Sequence, residues 1–563
     1  MYLVVVNAAG KQRYIFSSRK RKETVGASDL IARVNGEWAA EALREVFSGY
    51  RDDWRLRHGH EAELLTAGAG AVTLLVADPD AGRRLVAALT TRALVEAPGL
   101  DVCGVVHELR KGGEAGTLAA GLRAARTALA ATQEARPGPQ ARFLRLPLME
   151  ECGSSGQPAT ELRREGPGER PSPRSAASMA KLAHFPAALD RLARDAGSDV
   201  PTMRKIVDRL GLEAEWVSIV HADGNGFGRI FRDLGTSPGP GSSESGKSGS
   251  GHRASGEPES AGPGDEAYAD LLRGLSHAVD RCALAAFRTA LRRTADEHPD
   301  RTIAGVPPVL PLVLGGDDLT VLCEGEVALG FTRHYLEAFE RATADDPDLL
   351  PVLRAKGLPN LGAAAGVAIV KRNYPFRFAY DLAEELITKE AKQDRDVGSA
   401  LAFAVLLESS APDLDRIRRS VTVAGSGGGA PHRSPYVVGV GCGDARTEGR
   451  RWADLERRVA ALTGTHAASG EALVPRAAVH DLREAVSLGA EVARARLGLL
   501  RTRYREDEDR LGALTDLCGD LAGQDAAGFL DAVAARPFLT TARTATTSRD
   551  DAEHATVLEA RSR

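Results

Sequence analysis

Cysteine is scarce. The 563 residues contain six, at positions 103, 152, 282, 323, 442 and 518, and no two are spaced as a CxxC pair. That excludes a disulfide framework, leaves Cys152 without nearby thiols for a structural zinc, and makes a reducing compartment the expectation. Long apolar runs are also lacking: none reaches the ~18 residues that a membrane helix needs. The apolar start, Met1 to Ala9, has neither a basic leader nor a long hydrophobic core, so it reads as a strand and not a signal peptide. A cytoplasmic protein with no membrane contact is expected. Positive charge is not in excess either, since 73 Lys+Arg stand against 77 Asp+Glu for a net charge of −4. Sequence-independent coating of nucleic acid requires a basic excess, so any such contact has to be a local patch.

At roughly 150 residues per domain, the length predicts three or four domains. Gly and Pro cluster. Ser237 to Gly264 is almost free of apolar side chains and cannot offset its ordering entropy, so disorder is expected there. Gly153 to Ser178 reads as a linker, 425–434 (GSGGGAPHRS) as a flexible loop, and 541–563 as a disordered tail. Between these breaks β-branched runs (2–6, 72–76, 102–106, 216–221, 309–314, 319–323, 361–370, 400–407) alternate with helical periodicity, and from about 445 the pattern is almost purely helical. The expected organisation is a first unit over 1–150, a linker and helical region over 151–212, and a second unit over 213–410 interrupted at 237–264. A flexible connection over 411–445, a helical region over 446–540 and the tail follow.

The two β-rich units look like copies of one another. Thr73 laid on Thr320 sets AGAGAVTLLV (67–76) against LGGDDLTVLC (314–323), and VVNAAG (5–10) can be laid over IVHADG (219–224). Asp223 then meets Ala9, Asp317 meets Gly70 and Asp318 meets Ala71. The second copy holds three carboxylates where the first holds none.

Gly315-Gly316-Asp317-Asp318 between two apolar strands fits a tight, solvated hairpin turn that pushes two carboxylates out at the sheet end. Asp223 ends an earlier strand and is followed by Gly224-Asn225-Gly226-Phe227-Gly228. If the two strands are neighbours, Asp223 and Asp317 converge. Hard carboxylate oxygens suit Mg²⁺ or Mn²⁺ together with substrate phosphates, and the glycine-rich stretch can bring N–H groups to a triphosphate. Two ions so placed would activate a 3′-hydroxyl and neutralise a pyrophosphate leaving group. A plain Gly-Asp turn is the bland reading of the hairpin alone.

GGDD on a hairpin, preceded by a strand ending in D-G-N-G-x-G, resembles the second palm domain of the CRISPR polymerases, the large subunits of type III CRISPR effector complexes. The segment 14–31, Glu96 to Leu100, Cys152 to Ala159, Asp381 to Lys392 and Arg433 to Tyr436 resemble further parts of that family. The resemblance implies an α+β fold of tandem ferredoxin-like palm domains (βαββαβ, antiparallel sheets with helices on one face) followed by an α-helical C-terminal domain. It implies synthesis of cyclic oligoadenylates from ATP as an antiviral messenger. Asp223, Asp317 and Asp318 would be catalytic and metal-binding, with the Gly224 carbonyl a further ligand. Asn225, Gly226, Phe227, Gly228, Gly315, Gly316, Lys389 and Lys392 would be nucleotide-binding. The chain opens directly on the first palm without the family's HD nuclease domain, and the inter-palm zinc ribbon is lost, so a stand-alone relative without zinc is expected. Its expected partners are ATP or another NTP, a trigger RNA or CRISPR-like subunits, and a further copy of itself. Two rivals remain. One is a non-catalytic nucleotide- or RNA-binding scaffold; the other is a GGDEF-like diguanylate cyclase, disfavoured because Leu319 follows GGDD.

Weaker signals have bland readings beside the functional ones. Arg19 to Lys22 is the densest basic run, either a solvated helix start or a contact for phosphates. Arg494 to Arg505 reads as intrahelical pairing, His58 and His60 as surface loop, His480-Asp481 as a surface pair. Tyr374 is either core or a stacking platform for a base.

Overall fold

The first strand, β1 (Tyr2–Ala9), is buried along nearly its whole length, and its alternate side chains enter two different cores. The computed structural model describes residues 1–18, 20–109, 117–138, 141, 143, 145–164, 170–226, 264–394, 397–407, 414–420, 435–439, 443–466 and 469–539. Arg19, Phe227, Gly228, nearly all of the insertion at 237–264, the loop 425–434 and the tail 541–563 lie outside these residues.

After β1 come α1 (Lys11–Phe16), α2 (Arg21–Asn35), α3 (Glu37–Val46), β2 (Ala62–Gly68), β3 (Ala71–Val76), α4 (Pro79–Glu96) and β4 (Asp101–Glu108). The four strands form an antiparallel sheet in the order β2-β3-β1-β4. Helix α4 starts where the sequence dictates: Asp78 caps it by accepting from the N–H groups of Asp80 and Ala81, and Pro79 follows at the first helical position. Val4, Val6, Val72 and Leu74 pack on α2, α3 and α4. The opposite side chains, Leu3, Val5, Leu65 and Leu75, are covered by α5 (Leu118–Ala135) and by a later helix.

The stretch expected to be a linker is structured where described. β5 (Glu161–Arg163) and β6 (Ser172–Arg174) pair antiparallel, and Cys152, Ser154 and Ser178 are buried. The polar interior explains this: Ser154 Oγ donates to Glu23 Oε2 at 3.0 Å, and Arg174 lies 3.6 Å from Glu23, with both side chains almost wholly buried. Helices α6 (Ala176–Ala183), α7 (Phe185–Ala196) and α8 (Val200–Leu212) follow.

The second unit contains β7 (Trp216–Gly224), α9 (Asp265–Glu297), β8 (Val309–Gly315), β9 (Asp318–Glu324), α10 (Gly325–Asp345), α11 (Leu350–Ala355), β10 (Ala363–Lys371), α12 (Phe376–Lys389), β11 (Ser399–Val405), α13 (Leu414–Ser420) and β12 (Tyr436–Val438). Its sheet runs β12-β11-β10-β7-β9-β8. The order β8-β9-β7-β10 repeats β2-β3-β1-β4, so the chain carries one topology twice. All pairs are antiparallel except β10 with β11. The crossover helices α9 and α10 lie on one face, against Val220, Leu319, Val321 and Val367. The other face, with Ile219, Leu322, Ala364 and Ala368, shares a core with α2, α7, α8 and α12. That shared core joins the two units.

Helix α9 is 33 residues long, or about 50 Å at 1.5 Å per residue. Its first turns place Tyr268, Ala269 and Leu272 on the outer face of the first sheet, and Leu275 to Leu291 serve the core of the second. Helices at Trp452–Thr463, Arg476–Leu488, Ala490–Arg503, Glu508–Cys518 and Gly523–Ala535 build the helical C-terminal region against that second core. Among the described residues no helix is long and apolar enough to cross a membrane.

Candidate active site

Strand register brings the carboxylates together. Asp223 lies directly opposite Asp318 across the β7–β9 pair, at the end of the sheet where the β8–β9 hairpin turns. The reversal takes only Gly316 and Asp317, and Gly316 adopts φ +62°, which favours glycine. The Gly224 N–H donates to the Asp317 carbonyl at 3.1 Å, tying the strand end to the turn. Asn225 is held twice: its N–H donates to Gly362 O at 2.8 Å and its Nδ2 to Gly398 O at 3.1 Å.

The register also corrects the alignment of the two copies. Thr73 and Thr320 occupy equivalent hairpin positions, but Asn7 lies opposite Ala71 as Asp223 lies opposite Asp318. The first-unit counterpart of Asp223 is therefore Asn7 and not Ala9. A two-residue slip keeps every side chain on its face, so the apolar pattern alone does not distinguish the two registers.

Nor is the turn fully solvated. Asp317 and Asp318 are only partly exposed, the Asp318 side chain at 19%. Burial, and then the charges of Asp223 and Asp318, push the Asp317 carboxyl up to about 6. Burial also raises Asp318, partly offset by His221 and Lys11. Lys392 and a histidine–tyrosine pair stand around the cluster. Lys392, in the short turn after α12, forms an ion pair with Asp223. His221 Nδ1 is 3.5 Å from Asp318 Oδ1, and Tyr380 Oη is 3.4 Å from His221 Nε2. Lys389 lies elsewhere, 3.2 Å from both Glu385 and Asp415.

Three neighbours carried no isolated sequence signal. Lys11, from the first unit, donates to Ala69 O at 2.7 Å and stands 3.9 Å from Asp318 Oδ2. Asp280, midway along α9, accepts from the Gly316 N–H, and burial raises its carboxyl. The hairpin turn of the first unit meets that of the second here, since a Cβ on Gly315 would stand 3.5 Å from the Ala69 nitrogen. His221 was legible only as the residue two before Asp223, on the same face of β7. Beside the cluster a cleft of about 500 Å³ opens between the units, lined by Gly10, Arg13, Asp101, Arg377 and Tyr380.

The donor chemistry fits a hard divalent cation. Asp318 Oδ1 and Asn225 Oδ1 are buried without a hydrogen-bond partner among the described residues, and three carboxylates share one sheet end. As the side chains stand, with Lys392 on Asp223, no group of three or more His, Cys, Asp or Glu among the described residues is drawn together tightly enough to hold a metal ion. Other candidates stay apart from this site. His60 stacks on Trp54 at 5.0 Å, and Asp481 pairs with Arg496.

A family model for the second palm domain of Cas10/Cmr2 matches residues 217–399. No curated protein matches the sequence. Among solved structures, the chain is similar to one in a Csm1–Csm4 cassette in complex with cA4, at 12% identity and a TM-score of 0.47 over 95% of this chain and 70% of that one. A second is in a Csm1–Csm4 cassette in complex with AMPPNP, at 14% and 0.49 over 95% and 69%. A third is in a type III-B Cmr-beta complex in the apo state, at 11% and 0.39 over 74% and 72%.

Proposed function

On the match of residues 217–399 to the second palm domain of Cas10/Cmr2, we propose that the protein is a nucleotidyltransferase that makes cyclic oligoadenylate-type messengers from ATP in CRISPR-type antiviral defence. The observation that carries this reading is the convergence of Asp223, Asp317 and Asp318 on one sheet end of the second unit, where the first unit has Asn7, Gly70 and Ala71. Asp223, Asp318 and Asp317 would hold Mg²⁺ or Mn²⁺, with the Gly224 carbonyl as a further donor. When bound, such ions lower the pKa of an attacking hydroxyl and neutralise a departing pyrophosphate.

The chain's own residues do the rest. Lys392, which pairs with Asp223, would supply a cation for the triphosphate. The double anchoring of Asn225 fixes the strand end against which a nucleotide would lie. Lys11 and Asp280 hold the two hairpin turns together, so the site is built from both units and a pair of nucleotides can be oriented across them.

The test is an assay of the purified chain with each labelled NTP and Mg²⁺ or Mn²⁺, following pyrophosphate release and cyclic products. A cyclic oligoadenylate is expected, and the Asp317→Ala/Asp318→Ala double variant is expected to lose it while keeping its thermal midpoint within a few degrees. Unchanged product in the double variant refutes the site. Failure of the wild type both to turn over and to bind ATP with metal refutes the reading.

A further inference from the structure

At the other end of β7 the molecule carries a second charged feature. Arg372 follows Lys371, which pairs with Trp216. Seven strand residues, about 24 Å at 3.4 Å each, separate this end from Asp223. A groove of about 700 Å³ opens here between the start of α2, the end of α8 and the β10–α12 connection. Lys20, Arg21, Lys22, Arg163 and Arg372 line it, with Asp208 the one carboxylate among its lining residues. In a chain with a net charge of −4, that is a concentrated positive patch.

Two of these cations have no carboxylate partner among the described residues. Arg21 lays its guanidinium over the Phe376 ring at 3.6 Å, donates from Nη2 to the Arg372 carbonyl at 2.8 Å, and has no hydrogen-bond partner for its buried Nε among the described residues. Arg372 donates from Nη1 to Leu212 O. Both guanidiniums are thus spent on carbonyls, and neither forms an ion pair with a carboxylate among the described residues. Desolvation and the nearby Arg372 charge lower Arg21 to about 9. A desolvated guanidinium with a second positive charge nearby favours the arrival of an anion. Gly211 gives the stem of Arg21 its room, because a Cβ there would stand 3.3 Å from Arg21 Cγ.

We propose that this groove binds the phosphate of a nucleotide, free or within a single strand, at a site separate from the Asp223–Asp317–Asp318 cluster. The guanidinium fork matches phosphate oxygens. The groove has room for a nucleoside beside its phosphates, and Phe185, Tyr374 and Phe376 give it an apolar floor.

Binding is measured on the full chain in EDTA, which silences metal-dependent binding at the carboxylates. The probes are inorganic pyrophosphate, ATP and a labelled ten-nucleotide single-stranded RNA. Salt-dependent binding of at least one is expected, with affinity reduced about tenfold in Lys22→Gln/Arg372→Gln and unchanged in Asp317→Ala/Asp318→Ala. Weakened binding of pyrophosphate and ATP assigns the site to free nucleotide; weakened binding of RNA alone assigns it to a strand. Arg372→Lys, which keeps the charge and loses the fork, is expected to fall between wild type and the double variant, and thermal midpoints within a few degrees of wild type exclude misfolding. Affinities unchanged in the Lys22→Gln/Arg372→Gln variant, or no binding of any probe by the wild type, overturn the proposal.

Discussion

Replacing Asp317 by Asn should stabilise the metal-free protein at neutral pH and lose most of that gain in acid. Burial and the adjacent Asp223 and Asp318 charges raise the Asp317 carboxyl from 3.8 to about 6. The folded state therefore holds this proton more tightly than the unfolded chain, and stability falls as pH rises from about 4 towards 6, the full loss being reached above the folded value. A shift of about two units corresponds to about 3 kcal/mol. Screening at a partly exposed turn, with Lys392 nearby, reduces the realised figure to about 1–2 kcal/mol. Asparagine keeps the shape and removes the charge. At pH 7.5 in EDTA its thermal midpoint should be a few degrees above wild type, at roughly 2–4 °C per kcal/mol for a unit of this size. At pH 4.5 the difference should shrink to about a third. Adding Mn²⁺ should raise the midpoint of wild type more than that of the variant, because a ligand that binds only the folded state stabilises it by mass action. An Asn variant no more stable than wild type at pH 7.5, or a gain that persists undiminished at pH 4.5, would refute the claim that this carboxyl is forced upward by its site.

Further outcomes follow from the same geometry. Lys392→Met, which strips Asp223 of its ion pair, should weaken metal-dependent ATP binding by about tenfold, measured by equilibrium titration, and undiminished affinity would remove Lys392 from the nucleotide site. Asp280→Asn removes the charge that receives the Gly316 N–H; turnover should fall while ATP affinity holds, and a change in affinity alone would contradict a positioning role. Arg174→Met removes the buried ion-pair partner of Glu23, and should cost about 3–5 kcal/mol in urea unfolding, whereas a loss below 1 kcal/mol would show the pair to be dispensable.

The sequence was most legible where two strong local signals coincided. Short β-branched apolar runs marked β1, β3, β4, β7, β8, β9, β10 and β11, and Gly315-Gly316 between two of them marked the hairpin, because buried strands and tight turns leave residue-level traces. The duplication was visible for the same reason, as GAGAVTLLV against GGDDLTVLC. The linker reading of 153–178 failed because Gly, Ser and Pro composition says nothing about a buried partner elsewhere, and Glu23 sits about 130 positions upstream of Ser154. Asp280 was illegible for a related reason: one acid in a 33-residue helix looks like any solvated position.

By itself the sequence determined that the chain holds two related α+β units and a helical end, and that only the second unit owns a carboxylate cluster, since composition and periodicity are local properties. Tertiary structure alone decided the two-residue register that makes Asn7 the counterpart of Asp223. It also decided the meeting of Lys11 and Asp280 at the facing turns and the pairing of Arg21 with Arg372 across 351 positions. Those depend on packing between elements far apart in the chain, where burial and low dielectric turn ordinary side chains into partners.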